Sequence, residues 1–205
     1  RLHRRTQFDE WAPISALQNQ ILVVLSGDRT TRDAYIVDQG VDPAVTSHIS
    51  GAVVSMHSDG RDRLWYWTGK LEPGASQIRW LHHGRYDTGV KPSVLLIAAN
   101  VVVEVHRSHT RDRLFGAVGY IDDAGRLNWR DERSLFDGRN PSLVMAADGR
   151  IKLVYETDEF STGRAERFGR VVNDEIRFDA AQSTQRSVPD VSNNGVLEMI
   201  SSGVA

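Results

Sequence analysis

The sequence predicts an all-β fold built from a repeated unit of about 49 residues. The strongest observation is the period itself, because Pro43, Pro92 and Pro141 are 49 residues apart. Two further sets of side chains keep the same period, namely His57, His106 and Tyr155, and Trp80, Trp129 and Phe178. Each unit also divides into short apolar or β-branched runs separated by turn residues, with no helical periodicity. Period and strand pattern together indicate a repeat protein.

The second unit shows the predicted strands most clearly. It contains four β runs, at residues 92–97, 101–106, 113–121 and 125–129. Short links rich in turn-forming residues join these runs, which favours antiparallel pairing between neighbours in the sequence. The first and third units repeat the order, with "AVVSMH" and "RIKLVYE" in the place of the second strand. Each unit is therefore predicted to form one small four-stranded sheet.

Four short antiparallel strands in every 40–50 residues or so are typical of a β-propeller blade. One such sheet cannot bury both of its faces, whereas sheets arranged around an axis cover one another. We predict a single β-propeller domain over residues 1–205, with five unequal blades. The predicted units lie near 9–39, 40–88, 89–137 and 138–186, and residues 187–205 close the ring with the N-terminus. Four blades, or part of a longer ring, are the alternatives.

A Gly-x-x-Pro junction opens each of three predicted blades, at residues 40–43, 89–92 and 138–141. We expect the Gly to let the chain turn from one sheet to the next. We expect the Pro to fix φ at the first residue of the new strand, where the missing N–H matters least. Aspartates stand just before the junctions, at Asp38, Asp87 and Asp137. They are interpreted as Asx-turn residues, and a ring of carboxylates that binds a cation or sugar hydroxyls is the alternative.

Several motifs resemble the tandem repeats of bacterial β-propellers of the lectin and sialidase-like kind. They are "VVEVHRS" at 102–108, "RDRLF" at 111–115 and "FDGRNPS" at 136–142. The hairpin "DDAGRLNW" at 122–129 is similar to the Asp-box of sialidase-type propellers, but it lacks the Ser and has one extra residue before the Trp. The repeat length also resembles that of small five-bladed lectins of the tachylectin type. The resemblance implies a propeller that binds or processes glycans.

Composition limits the classes of partner. The net charge of −2 gives the chain no general attraction for nucleic acid or for an anionic membrane surface, and no apolar run is long enough to span a bilayer. Because the chain has no Cys, disulfides and thiolate metal sites are excluded. The expected partners are glycans, bound at several sites, and no cofactor is expected. Oligomeric state and compartment stay open, with a secreted or cell-surface location favoured.

The predicted ligand-binding residues combine an aromatic face with a polar donor in each of two inter-blade grooves. They are His57, Arg63 and Trp65 in the first groove, and His106, Arg113 and Phe115 in the second. Aromatic faces stack on sugar rings, and His and Arg donate hydrogen bonds to hydroxyls. Packing of the same rings between blades is the alternative. Because Tyr155 replaces the His in the third unit, no repeated metal site or catalytic role is expected.

We therefore predict a lectin-like protein with shallow sites between blades, and we leave open whether it is an enzyme. A glycosidase needs two carboxylates close together. The acidic residues are instead either repeated at the junctions or scattered on loops, as interpreted for Glu104, Asp158 and Glu159. His82, His83 and Arg85 are interpreted as a solvated outer loop. A glycan-processing enzyme of sialidase or glycosidase type and a protein-interaction scaffold are the alternative functions.

Overall fold

The computed structural model confirms the all-β prediction, since its regular elements are β-strands throughout. It describes the backbone of residues 3–5, 11–13, 20–26, 32–73, 75, 77–130, 132–160, 163–184 and 196–200. Side chains are described from residue 38 to residue 184, with the same internal gaps. None of the described segments forms a helix with the length and apolar character needed to cross a membrane.

Within the described residues, four strands precede the first regular sheet. They are β1 (His3–Arg5), β2 (Trp11–Pro13), β3 (Gln20–Ser26) and β4 (Arg32–Gln39). Strand β1 pairs antiparallel with β2, and β3 pairs antiparallel with β4.

Three antiparallel sheets follow, one for each of the three regular repeats. The first sheet contains β5 (Val41–Ser47), β6 (Ala52–Ser58), β7 (Arg63–Lys70) and β8 (Arg79–Thr88). The second contains β9 (Val90–Ala98), β10 (Val101–Arg107), β11 (Arg113–Ile121), β12 (Leu127–Trp129) and β13 (Arg133–Asp137). The third contains β14 (Arg139–Met145), β15 (Ile151–Glu156), β16 (Arg164–Val172), β17 (Glu175–Phe178) and β18 (Gln182–Ser183). A last strand, β19 (Val196–Ile200), pairs parallel with β3.

The outer edges of the sheets differ from the prediction. In the first sheet β8 runs unbroken to Thr88, so His82, His83 and Arg85 lie in a strand and the predicted loop is wrong. The side chains of β8 alternate between exposed and half-buried along most of its length. This is the period of a strand with one face in solvent and the other face against neighbouring side chains. In the second sheet the edge is divided into β12 and β13, which both pair with β11. Glu132 lies in the break between them.

The junction glycines are required by side-chain packing rather than by an unusual backbone angle. A Cβ on Gly89 would lie 2.3 Å from Cδ2 of His106. A Cβ on Gly40 would likewise lie 2.4 Å from the His57 ring, and one on Gly138 would lie 2.6 Å from the Tyr155 ring. Each of these glycines lies between the last strand of one sheet and the first strand of the next, as expected, but none has a positive φ. The ring on each second strand needs a neighbour without a side chain, which explains why Gly and ring share one period.

The unusual backbone angle occurs two residues later, inside the first strand of each sheet. Asp42, Lys91 and Asn140 have positive φ values of 54°, 55° and 47°. Each is followed by the repeated Pro, and the pairing with the second strand shifts register across this point. The prolines thus lie in β-bulges inside β5, β9 and β14, and not at the first residue of these strands as predicted. A bulge accepts Pro because one residue there is unpaired.

Facing sheets bury their apolar side chains against each other. Val54, Met56 and Tyr66 of the first sheet pack against Val94 and Leu96 of the second. A corresponding core between the second and third sheets contains Val103, Val105, Leu114, Leu143, Leu153 and Tyr155. Strand β10 is buried on both faces over most of its length. This explains why four of its seven residues are Val.

The first strands of successive sheets lie side by side. Strand β9 contacts both β5 and β14. Two hydrogen bonds of the same kind link them, from Leu96 N–H to Thr46 Oγ1 at 3.1 Å and from Leu143 N–H to Ser93 Oγ at 2.8 Å, although the second lies two residues earlier in its unit. At the first strands, each pair of neighbouring sheets is therefore joined by a bond from backbone to side-chain hydroxyl.

Candidate functional site

The predicted histidines and aromatic residues meet inside the protein. His57 and His106 are only 2% and 1% exposed. In the strand register His57 lies opposite Trp65, and His106 lies opposite Phe115. The rings of His106 and Phe115 stack with centroids 5.8 Å apart. Each ring pair therefore spans two neighbouring strands of one sheet, with the imidazole buried.

The two predicted arginines have different surroundings. Arg63 is exposed. Arg113 donates from Nε to Ser134 Oγ at 2.7 Å, from Nη1 to Asp137 at 3.1 Å and from Nη2 to the Leu135 carbonyl at 3.3 Å. The Arg113 guanidinium thus fastens β13 to β11. A ligand-binding role for the two arginines stays a prediction.

His106 is paired with a carboxylate that the prediction did not place beside it. Glu104 lies two residues earlier on β10 and is equally buried, at 1% exposure. Its carboxylate oxygens lie 3.1 and 3.2 Å from His106 Nδ1. The Tyr86 hydroxyl, from β8 of the first sheet, donates to Glu104 Oε1 at 3.1 Å. The Glu104 carboxylate therefore links the second sheet to the first.

Two more carboxylates approach the other nitrogen of the same ring. Glu132 Oε1 lies 3.6 Å from His106 Nε2. Asp87, near the end of β8, hydrogen bonds to Glu132. One ligand atom from each of Asp87, His106 and Glu132 lies within 4.8 Å of the other two. We call these three residues the Asp87 triad.

The electrostatics of this cluster are strongly perturbed. Burial alone lowers the pKa of His106, but the charge and hydrogen bond of Glu104 outweigh burial and raise it to about 9. Burial, together with the hydrogen bond and charge of Asp87, raises the pKa of Glu132 to about 7. Burial and then the charge of Glu104 raise the pKa of Tyr86 well above its usual value. At neutral pH His106 is a cation, and Glu132 is close to half protonated.

The equivalent positions of the first sheet are arranged differently. Asp38 Oδ2 lies 3.6 Å from His57 Nε2 and also accepts the Trp67 indole N–H at 2.8 Å. Ser55 stands where Glu104 stands in the second sheet, and among the described residues neither Ser55 Oγ nor His57 Nδ1 has a hydrogen-bond partner. Burial is the main effect on His57, and it lowers the pKa. This histidine is a neutral, buried ring.

The third sheet replaces the whole arrangement with aromatic packing. Phe136 and Tyr155 occupy the positions of Asp87 and His106, and their ring centroids are 4.9 Å apart. The Arg167 guanidinium lies 4.1 Å over the Phe136 ring, and its Nε donates to the Tyr155 hydroxyl at 3.0 Å. The ionisable cluster is therefore particular to the second sheet and its contact with the first.

A cleft of about 470 Å³ lies between the second and third sheets. Three guanidinium groups line it, those of Arg113, Arg139 and Arg167, together with five carboxylates and the Phe136 ring. Arg139 donates to Asp112 at 3.1 Å and to Asp158 at 3.0 Å. Of the six predicted ligand-binding residues, Arg113 lines this cleft.

Glu104 and Glu132 were not recognised as site residues. The interpretation of Glu104 as a loop residue is wrong, since it lies in the middle of β10. The available signal was a charged residue between Val103 and Val105, because alternation places it on the same face as His106. Glu132 carries no such signal, since its position depends on the break between β12 and β13.

A scan against protein-family models finds no match for the chain, and a search of curated proteins finds none either. Function is therefore inferred from the side chains described above.

Proposed function

We propose that the chain is a carbohydrate-binding β-propeller and that neutral glycans bind in the cleft between the second and third sheets. Three features support a ring of blades. The sheets are antiparallel meanders of one period, their first strands lie side by side, and each sheet covers the face of the next. Five blades is the count that the unit lengths favour. An experimental structure with the sheets in an open row would contradict the ring.

The observation that carries the function is the charged lining of this cleft. Arg139 lies between Asp112 and Asp158, so guanidinium donors and carboxylate acceptors stand beside each other. Paired donors and acceptors of this kind suit the adjacent hydroxyls of a sugar ring, and little side-chain freedom is lost on binding.

The balance of charge in the cleft selects among ligands. Five carboxylates face three guanidinium groups. The lining is therefore net negative, which disfavours phosphates, nucleic acid and acidic sugars. A neutral oligosaccharide meets no electrostatic repulsion from this lining. Its affinity at one cleft is expected to be weak, so that useful binding requires several contacts on one particle or surface.

The second candidate function, glycoside hydrolysis, has one observation in its favour. The pKa of Glu132 is raised beside Asp87, just as glycosidases raise the pKa of the carboxyl group that acts as general acid and keep the second one ionised. However, the two groups are hydrogen bonded to each other, whereas glycosidases keep the two carboxyl groups about 5 Å or more apart. The direct contact leaves no room for a glycosidic bond between them, so binding without turnover is the better supported function.

The test is a glycan array probed with the protein displayed on a multivalent carrier. Asp158→Asn changes a side chain that is 89% exposed, so it is expected to leave the fold intact. We expect it to weaken glycan signals about tenfold or more, the effect of losing one charged hydrogen bond. Asp123→Asn, an exposed carboxylate of the turn before β12, is the matched control and should bind as the unmodified protein does.

Three results would count against this proposal. They are no signal on the array, equal signals for the two variants, or release of sugar from fluorogenic glycosides. The last result would favour the enzyme. Silence on the array with capture of a protein partner would favour the scaffold.

A further inference from the structure

The Asp87 triad draws its members from two sheets. Asp87 belongs to β8 of the first sheet, His106 to β10 of the second, and Glu132 to the break in the outer edge of the second. Their ligand atoms nevertheless lie within 4.8 Å of one another. A carboxylate, an imidazole and a second carboxylate are the ligand set that first-row divalent metals prefer when no thiolate is present.

The orientation of His106 gives an independent indication of a ligand. Its Nδ1 faces the Glu104 carboxylate at 3.1 Å, and this contact leaves Nε2 directed at Asp87 and Glu132. The side chain is only 1% exposed, and the carboxylate nearest to Nε2, that of Glu132, lies 3.6 Å away, beyond hydrogen-bond distance. Histidines that bind metals usually hold a carboxylate through the other ring nitrogen, which fixes the tautomer and the ring plane.

The charge around the triad is negative on balance even when His106 is protonated. Three carboxylates, those of Asp87, Glu104 and Glu132, surround one imidazole. In the part of the chain that the structure describes, no Lys or Arg forms an ion pair with any of the three. Elsewhere in the second and third sheets carboxylates are commonly paired with Arg, as in the contacts of Arg113, Arg133 and Arg139.

We propose that Asp87, His106 and Glu132 bind one divalent first-row transition metal ion, of the Zn²⁺ or Mn²⁺ class, which displaces the Nε2 proton of His106 to solvent and joins the first sheet to the second. Ligands held about 2.1 Å from one ion lie about 3.0–4.2 Å from each other. The side chains therefore need to move by less than about 1 Å. Because Glu132 is 33% exposed, the remaining coordination positions of the ion face solvent. This site is separate from the cleft between the second and third sheets and does not depend on the proposed glycan binding.

The repeat supplies an internal comparison. Asp38, His57 and His83 occupy the equivalent positions of the first sheet. There the Trp67 indole donates to Asp38, and the same indole stacks on the His83 ring with centroids 4.5 Å apart. His57 also lacks a carboxylate at Nδ1, because Ser55 replaces Glu104. Residue type alone would predict two sites, whereas the contacts predict one ion per chain.

The test is titration of the chelator-treated full-length protein with ZnCl₂ and with MnCl₂ by isothermal calorimetry. We expect one ion per chain. Glu132→Gln and Asp87→Asn should each weaken binding about tenfold or more, the lower bound for disturbing a metal site. Asp38→Asn, the matched change in the first sheet, should bind as the unmodified protein does. No binding, two ions per chain, or equal affinities for Glu132→Gln and the unmodified protein would overturn the proposal.

A second measurement needs no variant and so stands if a substitution prevents folding. Bound Mn²⁺ broadens the NMR signals of nuclei near it. In the unmodified protein one equivalent should broaden the amide signals of Gly89 and His106 more strongly than those of Gly40 and His57. Equal broadening of the two pairs, or broadening of neither, would contradict a single ion at the Asp87 triad.

Discussion

The Glu104 carboxylate lies 3.1 Å from Nδ1 of His106, and each of the two side chains is only 1% exposed. Strand register explains how a charged pair fits at this depth. Ala117 lies opposite Glu104 on β11, whereas Trp67 lies opposite the equivalent Ser55 in the first sheet. The small residue leaves room for the carboxylate to turn toward the ring. The sequence difference between two repeats is therefore a coordinated exchange of Ser and Trp for Glu and Ala.

Removal of the Glu104 carboxylate is expected to destabilise the protein strongly. Glu104→Ala leaves the His106 ring buried without its charged partner, and breaking a buried pair in this way typically costs about 3–5 kcal/mol. Urea unfolding followed by tryptophan fluorescence measures the change. Ser55→Ala is the matched control at the equivalent position. The Ser55 hydroxyl has no hydrogen-bond partner among the described residues, so we expect a change below about 1 kcal/mol. Equal losses for the two variants would argue against a Glu104–His106 ion pair.

His57 should make the protein less stable in mild acid. Its pKa is lowered in the folded state, mainly by burial, from the usual value of 6.5. Above pH 6.5 His57 is neutral in both the folded and the unfolded chain, and the contribution of its burial to the free energy of unfolding is fully present. Below that pH the unfolded chain binds a proton that the folded chain excludes, so stability falls as pH falls toward the folded pKa.

The measurement compares unfolding free energies at about pH 7.5 and about pH 5.5 for the unmodified protein and for His57→Phe. Phe keeps a ring against Gly40 but cannot titrate. We expect the variant to lose less stability between the two pH values, because His106, Glu132 and the other groups titrate in both proteins. If the two proteins lose the same amount, then burial does not depress the His57 pKa.

Gly89→Ala is expected to be among the most damaging small substitutions. The new Cβ would lie 2.3 Å from Cδ2 of His106 and 2.9 Å from the Arg107 carbonyl oxygen, and the His106 ring is too deeply buried to move away freely. Overpacking of this kind costs about 1–3 kcal/mol or more. Gly149→Ala is the control, since no atom lies within 4 Å of the added Cβ and only its positive φ of 77° opposes the change. Thermal unfolding shows which of the two variants is less stable. A Gly89→Ala protein at least as stable as Gly149→Ala would disprove the packing argument.

The part of the fold that was predictable depends on local, repeated signals. The period shared by Pro92, His106 and Trp129 with their equivalents predicts three similar sheets, because each sheet must solve the same packing problem. The reason for the junction Gly was not predictable, since the ring that packs on Gly89 comes from β10, the second strand of the sheet. The Asp87 triad was predictable only in part. Its His lies in the repeat pattern, but Glu132 reaches it through an irregular edge, and Asp87 belongs to another sheet.

Arg113 should tolerate replacement by Lys poorly, although the charge is kept. Its guanidinium makes three hydrogen bonds at once, to Ser134, Leu135 and Asp137, and so joins β13 to β11. An ammonium group cannot reproduce this planar fork. We expect Arg113→Lys to lose about 1–2 kcal/mol of stability and to increase amide hydrogen exchange in residues 133–137 above that of the unmodified protein. Arg63→Lys is the matched control, because Arg63 is the exposed equivalent in the first sheet and should change neither quantity. Unchanged exchange in residues 133–137 of Arg113→Lys would mean that β13 is held by its backbone ladder alone.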